Sequence, residues 1–116
     1  MNVEIQARKV EIGQTFEEWV ERRLLFALSR FGDRIRRVTA LVEDINGPRG
    51  GVDQRCRVAV LLGRSARIAA EATDADAFGA VSRAADRIAR RVRDALERQR
   101  SMRARTRTKA PELRSA

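Results

Sequence analysis

In Arg55-Cys56-Arg57-Val58-Ala59-Val60-Leu61-Leu62, Cys56, Val58, Val60 and Leu62 fall on one side and Arg55, Arg57, Ala59 and Leu61 on the other. This is the two-residue period of a strand with one buried face, and the sequence on either side takes its meaning from it. Gly63-Arg64 punctuates the run, and residues 65–72 then alternate again with Ile68, Ala70 and Ala72 inward. Upstream, Ile35 to Ile45 is rich in strand formers, with Val38, Ala40 and Val42 on one face. Between them, Asn46-Gly47-Pro48-Arg49-Gly50-Gly51 has the composition of a turn. The three runs read as an antiparallel meander.

Further out, Asn2 to Arg8 alternates with Val3, Ile5 and Ala7 on one side. Gly13 breaks that pattern, and Thr15 followed by Glu18 is a capping-box signature that predicts a helix to about Phe31. Its apolar stripe is Phe16, Val20, Ala27, Leu28 and Phe31, with Trp19 and Leu24 beside them, and Gly32-Asp33 stops it. Thr73 with Asp76 marks a second helix start, with acids in the first turn where the helix dipole favours them. Phe78, Val81, Ala85, Ile88, Val92, Ala95 and Leu96 keep the helical period to about Gln99 or beyond. From residue 101 the sequence is basic, has no apolar period and contains a proline, which predicts a mostly disordered tail over 101–116 after a single domain over 1–100. The fold class is α+β in the order β-α-β-β-β-α, a four-stranded sheet with two helices packed on one face.

The chain has 116 residues, enough for one domain, and a hydrophobic fraction of 43% with only 4% aromatics, so the core is built from Val, Ile, Leu and Ala. Formal net charge is +9, and its placement is informative. Residues 1–82 carry 13 basic and 12 acidic side chains, whereas residues 83–116 carry 12 basic and 4 acidic. Such a localised field favours a polyanion. Cys56 is the only cysteine, which excludes an internal disulfide and fits a reducing compartment. The N-terminal residues lack the apolar stretch of a signal peptide, and no segment approaches a membrane span, so a cytoplasmic location is expected.

Little in the sequence points to catalysis. There is no histidine, which removes the commonest general acid–base group and many metal sites. Cys56 inside a strand reads as core rather than nucleophile or ligand. The glycine-rich turn lacks the Lys-Ser/Thr of a P-loop and leads into a strand, so it reads as a hairpin loop with Arg49 at its tip, within reach of a phosphate. Asp74 and Asp76 read as capping groups. No enzymatic activity, cofactor, metal or small-molecule substrate is expected.

The second helix is where the sequence is specific. Arg83, Arg87, Arg90 and Arg98 fall within a narrow arc of the helical wheel, with Arg91 at its edge, opposite the apolar stripe. Three acids, Asp86, Asp94 and Glu97, stand against seven arginines between residues 83 and 100, too few for a self-neutralised surface. Arginine's planar fork suits phosphate and base contacts. Arg103, Arg105, Arg107 and Lys109 extend the run. A membrane surface is the weaker anionic option, because the apolar face of this helix is needed to cover the sheet and is rich in Ala. In the first helix Arg22, Arg23 and Arg30 lie close to Glu17, Glu18 and Glu21 and read first as surface pairs; Arg55, Arg57 and Arg67 are expected on the open sheet face.

Several short motifs together resemble the ribosome hibernation-promoting factors, the family that includes ribosome-associated inhibitor A and the ribosomal subunit interface proteins. They are Ala7-Arg8-Lys9-Val10-Glu11-Ile12 with Phe16 and Trp19-Val20, Phe31-Gly32-Asp33-Arg34-Ile35, Ala70-Glu71-Ala72, Asp76-Ala77-Phe78-Gly79-Ala80-Val81, Asp86-Arg87-Ile88 and Arg90-Arg91-Val92. The resemblance covers residues 2 to about 100, and the family has the same order of elements. It implies a protein on the small ribosomal subunit near the decoding site, occupying space needed by messenger and transfer RNA in stationary phase or stress. It also implies ribosomal RNA contacts from Arg83, Arg87, Arg90, Arg91 and Arg98, and from Arg22 and Arg23 in the first helix. The departures are Phe78 and Ser82 where the family has Tyr and Asp, a longer loop at 46–54 and a basic tail, and the ribosome-pairing module of the long members is expected to be absent.

Three readings follow. The first is a ribosome-associated translation inhibitor that acts by occupancy. The second keeps the fold, which also resembles a double-stranded-RNA-binding domain, but targets other nucleic acid. The third is a protein–protein module with an acidic partner.

Overall fold

The computed structural model describes residues 1–46, 53–64 and 66–115, with side chains through residue 104. The turn at 47–52, with Arg49, lies outside the described residues. Strand β1 (Asn2–Arg8) leads to helix α1 (Gln14–Leu28), a 3₁₀ stretch (Ser29–Arg34), β2 (Ile35–Asp44), β3 (Gln54–Leu62), β4 (Ala66–Asp74) and helix α2 (Ala77–Ser115).

The strands form one mixed sheet in the order β1-β2-β3-β4. β2, β3 and β4 are the expected antiparallel meander, with Val58 opposite Ala40 and Ala70. β1 pairs in parallel with β2, Ile5 opposite Ala40, which requires the crossover that α1 supplies. Of the residues the alternation places inward, Val38, Ala40, Val42, Cys56, Val58, Val60, Leu62, Ala70 and Ala72 are all buried, Val3, Ile5 and Ile68 are half-buried, and Ala7, near the end of the edge strand, is exposed. Both helices cover this face. α1 contributes Val20, Leu24 and Leu28, and α2 contributes Val81, Ala85, Ile88, Val92 and Ala95. Ala80, Ala84 and Ala89 are buried as well, small side chains on the faces where α2 meets the sheet and α1. Burial also pushes the Cys56 thiol up to about 12, so it packs as a small apolar residue.

The structure corrects several sequence expectations. Thr15 does not cap α1; Gly13 occupies the cap position and its carbonyl accepts from the Glu17 N–H at 3.0 Å. Thr73 is not a helix start but lies in β4 opposite Arg55, because backbone pairing outcompetes a local side-chain cap there. Asp74, the last residue of β4, takes that role, accepting the Asp76 N–H at 3.1 Å. A Cβ on Gly79 would come within 2.7 Å of the Asp74 carboxylate, so glycine lets this acid lie against the first turn of α2. α1 ends at Leu28, and the chain turns through Gly32 at φ +57°, a conformation that favours glycine. The segment from 101, expected as an irregular tail, continues α2 to Ser115. Residues 101–110 hold Met102, two alanines, three arginines and Lys109, good helix formers that extend a helix already nucleated on the sheet.

Candidate nucleic-acid interface

Along α2 the arginines divide by what faces them. Nη1 of Arg83 donates to the Thr73 carbonyl at 3.2 Å, that of Arg87 to the Glu71 carbonyl at 2.7 Å, and that of Arg91 to the Ala69 carbonyl at 2.5 Å. β4 is an edge strand, so alternate carbonyls have no strand partner. Four helical residues rise about 6 Å and two strand residues about 6.6 Å, so one arginine per turn meets one outward carbonyl per strand repeat. The match makes a ladder. Arg83 also lies 3.6 Å from Asp74. Arg98 continues the same flank beside Arg67 and Asp94.

Arg90 lies elsewhere. It lines a groove of ≈ 450 Å³ between the helices, with Arg23, Phe26, Ala27, Arg30, Asp86, Ala89 and Arg93. Arg23, half-buried, bridges to α2 through Asp86 at 2.7 Å and the Ser82 carbonyl at 3.4 Å. Arg30 sits 4.9 Å from the Phe31 ring centroid. Arg22 is exposed and does not reach this groove. The sequence set therefore separates: Arg83, Arg87, Arg91 and Arg98 share the sheet-edge flank, whereas Arg90 and Arg23 face each other across the helices. Arg30, Arg93 and Phe26 complete the groove. Phe26 was missed, although an apolar residue two positions from both Leu24 and Leu28 falls opposite the buried stripe.

The open sheet face carries its own charges, and half of it is self-neutralised. Arg55 contacts Glu43 at 2.7 Å, and Arg57 contacts Glu71 at 3.0 Å and Glu43 at 3.7 Å. The Arg55 hydrogen bond, with the nearby charges of Arg57 and Arg8, holds the Glu43 carboxyl below its ordinary range despite the opposing effect of burial. Arg67 and Arg91 edge a shallow depression of ≈ 620 Å³ floored by Ala59 and Ala69. Among the described residues no cluster of three or more metal-ligating side chains forms, and no helix is long and apolar enough to cross a membrane.

Comparison with known proteins places this arrangement. The N-terminal domain of Protein Y from Thermus thermophilus is 26% identical with a TM-score of 0.65, over 79% of this chain and 96% of that domain. A ribosomal subunit interface protein from Coxiella burnetii shares the fold, at 20% identity and a TM-score of 0.61, over 87% of this chain and 99% of that one. No curated protein sequence matches. The family described as sigma 54 modulation protein / S30EA ribosomal protein matches residues 3–100. That span runs from the edge strand β1 through the arginine ladder and the interhelix groove, and the chain belongs to this family of ribosome-associated factors.

Proposed function

We propose that the protein binds small-subunit ribosomal RNA near the decoding site through the arginine-bearing side of α2 and inhibits translation by occupying space needed by messenger and transfer RNA. The observation that carries this reading is a set of arginines held on a rigid helix, most of which have no acid to neutralise them among the described residues. Arg90 and Arg98 have no hydrogen-bond or ion-pair partner among the described residues. Arg83, Arg87 and Arg91 each use one Nη on the sheet edge, and a guanidinium has five N–H donors, so anchoring orients them while leaving donors for phosphate. Residues 1–100 would form the binding unit, with the basic segment beyond adding charge along the same helix. Arg22 would make a peripheral contact, and Arg23 would act through the wall it forms with Asp86. The reading places the protein with ribosomes in the cytoplasm, in conditions where translation is shut down, and assigns it no catalytic step.

The test is co-sedimentation with purified small subunits over a salt series, beside the variant Arg90→Glu/Arg98→Glu. The wild type should travel with the subunit, and the variant should lose about a hundredfold in affinity at low salt, as expected when phosphate contacts become repulsive. If the wild type stays at the top of the gradient at physiological salt, ribosome binding is wrong. If it binds subunits and naked duplex RNA equally, the reading becomes a general RNA-binding protein.

A further inference from the structure

Phe26 is 80% exposed although it sits in the middle of α1, with Leu24 and Leu28 on the opposite face fully buried. A phenyl ring in that position gains nothing for the core. Around it the groove is built in two parts. Ala27 and Ala89 make a flat apolar floor, and Arg23, Arg30, Arg90 and Arg93 surround it against one acid, Asp86. Arg23 neutralises that acid and is fixed by it at 2.7 Å, so the other three guanidiniums set the charge of the groove. Arg93 has only a long 3.4 Å contact to Asp94, and Arg90 has no partner among the described residues.

An exposed aromatic face beside clustered guanidiniums suits a ligand that is planar and anionic at once. A duplex cannot satisfy it, because base faces inside a helix are already stacked. A protein surface would have to bring acids and an aromatic-binding pocket together, whereas a nucleotide carries both features in one unit. We infer that the α1–α2 groove takes a single unpaired RNA nucleotide, its base stacked on Phe26 and its phosphate held by Arg90 and Arg93. This deepens the RNA-binding function proposed above by naming what the groove recognises: an extruded or single-stranded base rather than the phosphate backbone alone. The groove volume, ≈ 450 Å³, is within the range of sites that hold small organic ligands.

The experiment uses the full chain with Phe26→Ala, Phe26→Leu and Phe26→Trp, checked for folding by circular dichroism, and three probes: a ten-nucleotide oligoadenylate, an abasic strand of equal length and a duplex RNA. Phe26→Ala and Phe26→Leu should weaken oligoadenylate binding about tenfold, the scale of one base–aromatic stack, with an unchanged salt slope. Phe26→Trp should restore affinity, and its emission should be quenched by oligoadenylate but not by the abasic strand. Oligoadenylate binding by Phe26→Ala equal to wild type overturns the inference. So does loss of small-subunit binding by Phe26→Ala with oligoadenylate binding intact, which would mean that the ring meets protein. If the wild type fails to sediment with small subunits while Phe26 still governs oligoadenylate binding, the ribosomal reading falls and the groove assignment stands. If it sediments and Phe26 has no effect on either ligand, the groove assignment falls alone.

Discussion

On the flank of α2 that meets β4, Arg83, Arg87 and Arg91 each donate to a strand carbonyl; on the flank that meets α1, Arg90 and Arg93 line a groove with an exposed phenyl ring. The residue type is the same and the helix is the same. The difference lies in the opposing surface. An edge strand offers a row of acceptors at a spacing the helix matches, so arginines there become part of the fold. The neighbouring helix offers mostly cations and alanines, so arginines there keep their charge available. A charge run on a helix thus holds two populations that composition cannot separate.

The largest effect should come from breaking the ladder. Arg83→Met/Arg87→Met/Arg91→Met keeps helix propensity and the apolar stems but removes three charge-assisted bonds. At about 1 kcal/mol each for partly exposed bonds, the thermal midpoint should fall by roughly 10 °C or more. An unchanged midpoint would show that the sheet edge does not need its arginines. The matched change on the other flank, Arg90→Met, should leave stability within about 0.5 kcal/mol. It should instead weaken small-subunit binding several-fold and flatten the plot of log affinity against log salt by about one unit. If Arg90→Met proves as destabilising as the triple variant, the two flanks are not distinct.

A smaller effect should separate the neutralised sheet face from both. Glu43 is buried against Arg55, and its carboxyl is held below its ordinary value of 4.5. A depressed carboxylate contributes stability that is fully present above its unfolded value and is lost as pH falls through its folded value. Urea midpoints should therefore decline below about pH 4.5, and Glu43→Gln should be less stable at neutral pH with a shallower decline. Equal slopes for both proteins would remove Glu43 from the account of acid sensitivity.

Much of the fold was legible residue by residue. The alternation at Cys56, Val58, Val60 and Leu62 named four buried side chains correctly, and the same reading of β2 named Val38, Ala40 and Val42 and its antiparallel pairing with β3. Periodicity works there because a one-residue slip would turn every inward side chain to solvent. The stripe of α2 was read at Val81, Ala85, Ile88 and Val92 but not at Ala80, Ala84 and Ala89, whose burial depends on how closely α1 and the sheet approach. Phe78, counted in the stripe, is 47% exposed and packs edge-on to Phe16 and Trp19 at the helix ends. The cap at Thr73 failed because strand pairing with Arg55 overrides the local motif, and the one at Thr15 because α1 already begins at Gln14, with Gly13 at its cap.

The sequence by itself determined the order of elements, the inward face of each central strand, the concentration of charge on the last helix and, through its motifs, the family. These are set by spacing along one chain, where period 2 and period 3.6 translate directly into faces. Only the tertiary structure decided that three of the five α2 arginines named from sequence grip the β4 edge, that Arg90 faces α1 with Arg23, and that Phe26 stands open among them. A guanidinium's task depends on the acceptor within about 3 Å of it, and that acceptor comes from another element, brought near by packing rather than by position in the sequence.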